Sequence, residues 1–419
     1  MTKYIICVTM DIGDEKEGKC MDFVPDKNAT VIHIPEWVQV VPSCAFKDYT
    51  KLQKVILPDR LQEIEYRAFS DCKNLKEIFL PATLKTFGND VFSHCSSLER
   101  ITVSPENKNF HDDDGVLYDD RFQGERKLLW YPPARKANEY HIPEGVTQIE
   151  RQAFREAQNL VSVVIPESVE KIKEGAFINC RNLRWIKIPD TVQIGDDAFF
   201  CTRWLMENPE KFVIAGDGIL LRYNGTDENV IIPDGVKEIK GTVFFYHQEI
   251  KSVTIPRSMR FINRNIFNNC VNLKTIHLKL EDGRIFSWDV SGFSCRDRFV
   301  ECLEMIMRHD FTLSYERIPK IWILCMIDYA IDMCDSEVLK QIHRKFIIFA
   351  EVCIELRDMP HFEKLVNETN GITCKNIDEL INYAIDCAQK GGSLEMQIYL
   401  INYKKEHFGF ADPKDLFKL

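Results

Sequence analysis

Proline, phenylalanine and leucine recur through this chain at a 23-residue step, and that period limits the fold more than any single residue does. Proline closes a β-branched or leucine-rich run at Pro35, Pro58 and Pro81, again at Pro143, Pro166 and Pro189, and once more at Pro233 and Pro256. Phenylalanine keeps step at Phe46, Phe69 and Phe92, at Phe154, Phe177 and Phe199, and at Phe244 and Phe267. A fixed period of this size belongs to a stacked architecture, because one unit cannot bury its own apolar face alone. A solenoid is a display surface, so the period says a great deal about shape and less about what is bound.

One unit can be followed from Leu75. The run Leu75-Lys76-Glu77-Ile78-Phe79-Leu80-Pro81 places Ile78 and Leu80 inward and Phe79 outward, the period of a strand. Pro81 has no N–H to give to a ladder, so it ends the strand. Leu84, Phe87, Val91, Phe92, Cys95 and Leu98 then bring the chain back round the core. Stacking in register predicts parallel strands about 4.8 Å apart from coil to coil. The same register explains part of a high, odd cysteine count of 15. Cys72, Cys95, Cys180 and Cys270 each follow a repeat phenylalanine by three residues. They are one turn position read four times, where a small, weakly polar side chain fits, and they are expected as reduced structural thiols.

The period breaks between Val103 and Tyr140 and between Cys201 and Val230. Each break contains an Asp-Gly pair, Asp114-Gly115 and Asp217-Gly218, followed by an apolar run and a tyrosine, Tyr118 and Tyr223. Asp-Gly is a strong turn signal, so both breaks read as β-hairpins inserted into a coil.

The series Ile165-Pro166, Val169, Ile172, Ala176-Phe177, Cys180 and Leu183 resembles the repeat of the BspA-type (Treponema pallidum-type) leucine-rich repeat family. The insert Asp114-Gly115-Val116-Leu117-Tyr118 is similar to one common among its members. The resemblance implies an α+β repeat protein: a leucine-rich-repeat solenoid of stacked parallel β-strands with hairpin insertions. It also implies a bacterial source and, for the best-studied members, a surface adhesin that binds host matrix proteins. From Arg298 onward the apolar spacing becomes helical, so the C-terminal domain is expected to be all-α. The stretch from Ala384 to Leu400 weakly resembles an ankyrin helix pair, which implies stacked helical pairs that extend or cap the array. The expected organisation is a β-hairpin cap over 1–30, repeats over 31–280, a linker over 281–297 and the helical domain over 298–419.

A net charge of −10 and a pI near 5.6 argue against nucleic acid, which needs a basic stripe, and against an anionic membrane surface. No window approaches the roughly 18 apolar residues of a membrane span. The apolar run near the N-terminus has one preceding lysine and no small-residue cleavage site, a poor signal peptide. The cytoplasm is therefore the expected compartment, with the cell surface as the alternative.

Residues 13–20 match the spacing of a phosphate loop, but Cys20 stands where Ser or Thr should hold magnesium. Three carboxylates in the loop would repel phosphate, and Pro25 follows where a helix should continue. A hairpin turn in the cap is the better reading; a nucleotide hydrolase using Lys19 is the weaker one. Asp112-Asp113-Asp114-Gly115 lacks the alternating ligands and distal glutamate of a calcium loop. His94 and Cys95 are the one Cys–His pair considered for nucleophilic chemistry, and the stacking role already accounts for Cys95. The expectation is no enzyme, no catalytic residue, no cofactor and no metal.

The display face remains. Its outward column runs His33, Ile56, Phe79, Thr102, His141, Val164, Lys187, Ile231, Thr254 and His277, and the position two before includes Trp185. A solvated sheet face has no need of so many apolar side chains, whereas an interaction surface does. Ile56, Phe79, His141, Val164, Trp185, Lys187 and Ile231 are the candidate contacts for a protein or peptide whose identity is open. The alternative is that the inserted hairpins or the C-terminal helices cover these residues.

Overall fold

The computed structural model describes residues 5–6, 23–24 and 26–409, apart from 123, 242, 245–246, 264–265, 268–269, 281, 292–295 and 310–317. The chain divides into two compact units, Met1–Asn224 and Gly225–Leu419.

In the first unit the 23-residue step becomes strand register. Strands Val31–His33, Lys54–Ile56, Glu77–Leu80 and Arg100–Val103 lie parallel, with Val31 opposite Lys54, Lys54 opposite Glu77 and Glu77 opposite Arg100. Glu139–His141, Ser162–Val164 and Trp185–Lys187 form a second parallel sheet of the same kind. The coils also carry a second strand, two residues long in Val40–Val41, Glu63–Ile64 and Thr86–Phe87. At the N-terminus, Ile5–Ile6 pairs antiparallel with Phe23–Val24; the phosphate-loop match at 13–20 lies outside the described residues.

The repeat side chains stack as columns. Phe154, Phe177 and Phe199 are buried with ring centroids 4.5 and 5.3 Å apart and planes within 16° and 12°. Phe46, Phe69 and Phe92 stack likewise at 5.1 and 6.0 Å. The cysteine position has a role of its own. The thiols of Cys72, Cys95 and Cys180 donate to the carbonyls of Phe46, Phe69 and Phe154, each in the preceding coil, at 3.1, 3.1 and 2.9 Å. Burial pushes the Cys180 thiol up to about 12, so it stays protonated and keeps that bond.

The turn around each repeat phenylalanine of the first unit has a regularity that composition does not announce. Gln152 and Glu156, two residues either side of Phe154, take left-handed backbone angles of φ 57° and 58°. The N–H groups of Gln152, Phe154 and Glu156 then donate to the carbonyls of Glu174, Ala176 and Ile178 in the next coil, at 3.2, 2.7 and 3.0 Å. A left-handed non-glycine residue costs roughly 1–2 kcal/mol, and a row of bonds between coils offsets that cost.

The first insertion has three strands rather than the two of a single hairpin. Phe110–Asp113, Val116–Phe122 and Glu125–Trp130 pair antiparallel in order, and the last continues into the solenoid by pairing parallel with Val146–Ile149. Its strands serve two cores. Leu117 and Trp130 join the apolar cluster of the coils before it, while Val116, Tyr118 and Leu128 join the cluster of the coils after it. The insertion is thus a partition inside the stack, not an ornament on it. The second insertion is the expected hairpin, Phe212–Ala215 with Ile219–Tyr223.

In the second unit, Asn229–Ile231, Ser252–Pro256 and Thr275–Lys279 continue the parallel pattern. The expected linker 281–297 is corrected here: it carries strand Ile285–Asp289, paired antiparallel with Thr275–Lys279, and the start of helix Arg296–Arg308. Trp288 on that strand packs edge-on against Phe299, at 5.4 Å, because an aromatic that closes a sheet must itself be covered. Helices Lys320–Asp332, Ser336–Arg344, Phe346–Leu356, Met359–Thr369, Ile377–Gln389 and Leu394–His407 follow.

One ion cluster ties two of these helices. His361 Nε2 lies 2.8 Å from Asp328 Oδ2, His361 Nδ1 lies 2.8 Å from Asp358 Oδ1, and Lys364 Nζ lies 2.8 Å from Asp328 Oδ1. The Asp328 hydrogen bond raises the His361 pKa against the opposing pull of burial, and Asp358 adds to the rise. Burial disfavours the Asp328 carboxylate, yet hydrogen bonds from His361 and Lys364 outweigh it and the pKa falls. A raised histidine stabilises fully below its unfolded value, about 6.5, and less as pH climbs through the folded one. A lowered aspartate stabilises above about 3.9 and less as pH falls through its folded value. The cluster is therefore strongest between about pH 4 and 6.5. We expect the urea-midpoint gap between the wild-type chain and His361→Gln, followed by helical circular dichroism, to shrink steadily from pH 6 to pH 9. A gap that is flat with pH removes the charged histidine from the account.

Candidate functional site

Alternation carries the site. On successive strands Val55, Ile78 and Ile101 point inward, so the residues on either side of each must face out. The outward column appears as expected, but on three short sheets rather than one. Ile56 and Phe79 lie on the first, with Phe79 opposite Thr102. On the second, His141 stands opposite Val164, Val164 opposite Lys187, and Ser162 opposite Trp185. Ile231 stands opposite Thr254 in the second unit.

Exposure separates these residues. Trp185 is 71% exposed, Ile231 65%, Phe79 51% and Ile56 39%. His141 and Lys187 are exposed, and His141 Nε2 meets Glu139 Oε1 two residues back on its own strand at 2.9 Å. Val164 is only half-buried between its neighbours, the least open of the set. Neither insertion of the first unit covers Ile56, Phe79 or Trp185.

Sequence reasoning missed what lies beside Ile56 and Phe79. A cleft of about 780 Å³ runs along the first residues of the same strands. Its cations are Lys54, Lys76, Arg100, Arg135 and Lys136. Its carboxylates are Glu77, Glu99 and Asp114. The far wall comes from Arg135, Lys136 and Ala137, where the chain leaves the first insertion. Arg135 is set firmly. Its guanidinium lies 5.8 and 5.7 Å from the ring centroids of Tyr131 and Tyr140 and is paired with Asp114 at the insertion's Asp-Gly turn. Arg100 reaches the same carboxylate at 3.5 Å. The Tyr140 hydroxyl is bonded in turn to Tyr118, and burial pushes the Tyr118 phenol up to about 12, so the pair stays neutral behind the arginine. The available signal was the dipeptide Arg135-Lys136, separated from Pro132-Pro133 by Ala134 alone, but nothing local says which strands it faces.

The BspA-type leucine-rich repeat region matches in six copies, over residues 23–113, 134–208 and 223–297. The chain belongs to the BspA-type leucine-rich repeat family. The two gaps between the BspA-type blocks, 114–133 and 209–222, fall on the two insertions. Among solved structures, a leucine-rich cell surface protein from Faecalibacterium prausnitzii A2-165 is 29% identical, with 60% of this chain and 59% of that one covered and a TM-score of 0.42. The pneumococcal vaccine antigen PcpA is 24% identical, covering 60% and 57%, with a TM-score of 0.41. The leucine-rich repeat protein of T. pallidum is 28% identical, covering 42% and 64%, with a TM-score of 0.25. This BspA-type chain thus spans less than two thirds of each of these three. No curated protein matches it.

The remaining candidates resolve into structure. In the BspA-type turn, the Cys95 thiol donates to Phe69, and burial raises its pKa well above the ordinary value, so it offers no thiolate. His94 pairs with Glu156 at 3.1 Å rather than with Cys95. Asp112, on strand Phe110–Asp113, ties down the turn that follows: its Oδ1 accepts from the Val103 N–H at 2.7 Å and its Oδ2 from the Gly115 N–H at 3.3 Å. Among the described residues, no three His, Cys, Asp or Glu side chains converge as metal ligands, and no helix is long and apolar enough to cross a membrane.

Proposed function

We propose that this BspA-type chain is a non-enzymatic binding protein that holds a protein or peptide segment against its outward strand face. Ile56, Phe79, His141, Val164, Trp185 and Lys187 supply that face in the first unit, and Ile231 does so in the second. The observation that carries the reading is the exposure of large apolar side chains at strand positions that a purely solvated face would fill with polar residues. Phe79 and Trp185 are the anchors, because aromatic side chains give the most contact area for little lost rotamer freedom.

For any partner captured by this face, Phe79→Ala or Trp185→Ala is expected to weaken binding by about tenfold each, the effect of roughly 1.4 kcal/mol. Calorimetric titration measures it. Unchanged affinity in the double variant, with circular dichroism intact, removes the face from the account. The face serves a cytoplasmic receptor and a surface adhesin equally well. Protease treatment of intact source cells separates them: loss of the protein from the outside places it at the surface, and survival places it within.

A further inference from the structure

The cleft beside Ile56 and Phe79 has a charge opposite to that of the molecule. The chain as a whole carries −10, yet the cleft holds two more cations than carboxylates. The pairing inside it leaves definite charges unspent. Arg100 and Arg135 share one carboxylate, Asp114, and so retain a positive charge between them. Lys54 and Glu77 sit 4.0 Å apart and cancel. Lys76 and Lys136 have no carboxylate partner among the described residues, and Glu99 has no cation. Lys76, Lys136 and Glu99 are all exposed, so their charges are available to a ligand. Arg135 is held by two tyrosine rings and Asp114, so little of its freedom is lost on binding. Lys54 and Ile56 point outward from one strand, as do Glu77 and Phe79 from the next, so the charged cleft and the apolar column adjoin along the strands.

We propose that this cleft selects acidic partners: it takes a peptide segment with an Asp or Glu side chain, or a terminal carboxylate, next to an apolar side chain. The carboxylate lies against Lys76, Lys136 and the Arg100–Arg135 pair, and the apolar side chain lies on Ile56 and Phe79. The inference rests on the binding face proposed above and adds its sign and its chemistry. Glu99, the carboxylate left without a cation in the cleft, repels the repeated charges of a phosphate backbone more than a single carboxylate placed beyond it, and the apolar column offers a peptide side chain a seat.

The test is selection of a random twelve-residue peptide library displayed on phage against the full chain, followed by titration of the selected peptides. The expected outcome is enrichment of Asp or Glu beside an aromatic or branched apolar residue. Binding should weaken at least tenfold in Lys76→Glu/Lys136→Glu, tighten in Glu99→Gln, and weaken as salt rises. All three substitutions are at exposed positions, and circular dichroism confirms the fold. Peptides without an acidic residue that bind the lysine double variant equally well, yet are lost on Phe79→Ala, overturn the charge selection and leave the face standing. Failure to select any peptide overturns both. Tight binding of a single-stranded oligonucleotide that Lys76→Glu/Lys136→Glu abolishes, without peptide enrichment, replaces the acidic peptide with a nucleic acid.

Discussion

Replacing Phe177 by alanine is expected to lower the stability of the surrounding coils by roughly 3–5 kcal/mol, the range for truncating a buried aromatic. Phe177 is fully buried, with Phe154 at 4.5 Å on one side and Phe199 at 5.3 Å on the other, so both neighbours lose a stacking partner and face a void. Ala153, Ala157 and Ala176 share that core, and small side chains cannot swing in to fill the space. Urea unfolding monitored by hydrogen exchange measures the loss and locates it. Protection should fall first between residues 131 and 199, the coils of that cluster, and less in the coils before the first insertion. Phe177→Leu, which keeps most of the volume, should recover a good share of the loss. A change below about 1 kcal/mol for the alanine variant, the size of an ordinary substitution, means the column is not what holds the coils together.

The second large effect is expected at Gly195. Its N–H donates to the Ile172 carbonyl of the preceding coil at 2.7 Å, and a Cβ there would meet the backbone of Glu174 and Lys173 at 2.5 and 2.7 Å. Gly88 repeats the arrangement, with its N–H 2.7 Å from Ile64 and a Cβ 2.5 Å from Glu65. At the same position Glu65, Glu150 and Lys173 donate across 2.9 Å, so coils lie nearer where glycine stands. Backbone cannot rotate away as a side chain can. Gly195→Ala must therefore push neighbouring coils apart and should cost at least the roughly 1–3 kcal/mol of an overpacked core, read as a drop in thermal midpoint. Lys173→Ala at the equivalent place in the preceding coil adds no atom and should lose only its exchange of charge with Glu150. Equal effects from the two variants would show that the close approach is relieved without strain.

The alternation that made Phe79 outward and Ile78 inward needed only a period of two, and a one-residue slip would have reversed both, so the strand faces were readable in advance. The cysteine column was readable for the same reason, although its thiol bonds to the preceding phenylalanine carbonyl were not. Three things stayed hidden, each for a physical cause. Gln152 and Glu156 take left-handed turns without glycine or asparagine to advertise them; the driving force is bonding to a coil 22 residues on, which local propensity does not contain. The double use of the first insertion depends on which core each of Leu117 and Tyr118 meets, and both are simply apolar in the sequence. The cleft joins Lys54 and Lys76 to Lys136 across the insertion, so its sign exists only once the fold has brought them together.

The first insertion also breaks the outward face into short pieces, and this sets the length of what can be read there. The first sheet has four strands, which at about 4.8 Å per strand gives a track of about 15 Å. An extended peptide advances about 3.4 Å per residue, so about four or five residues cross the whole track. A segment that short gives modest affinity alone. Partners with two such segments on one tether, one for each of the two outward sheets of the first unit, would gain by effective concentration, with the tether's reach as the selecting variable. A molecule built this way reads spacing between short words rather than one long sentence.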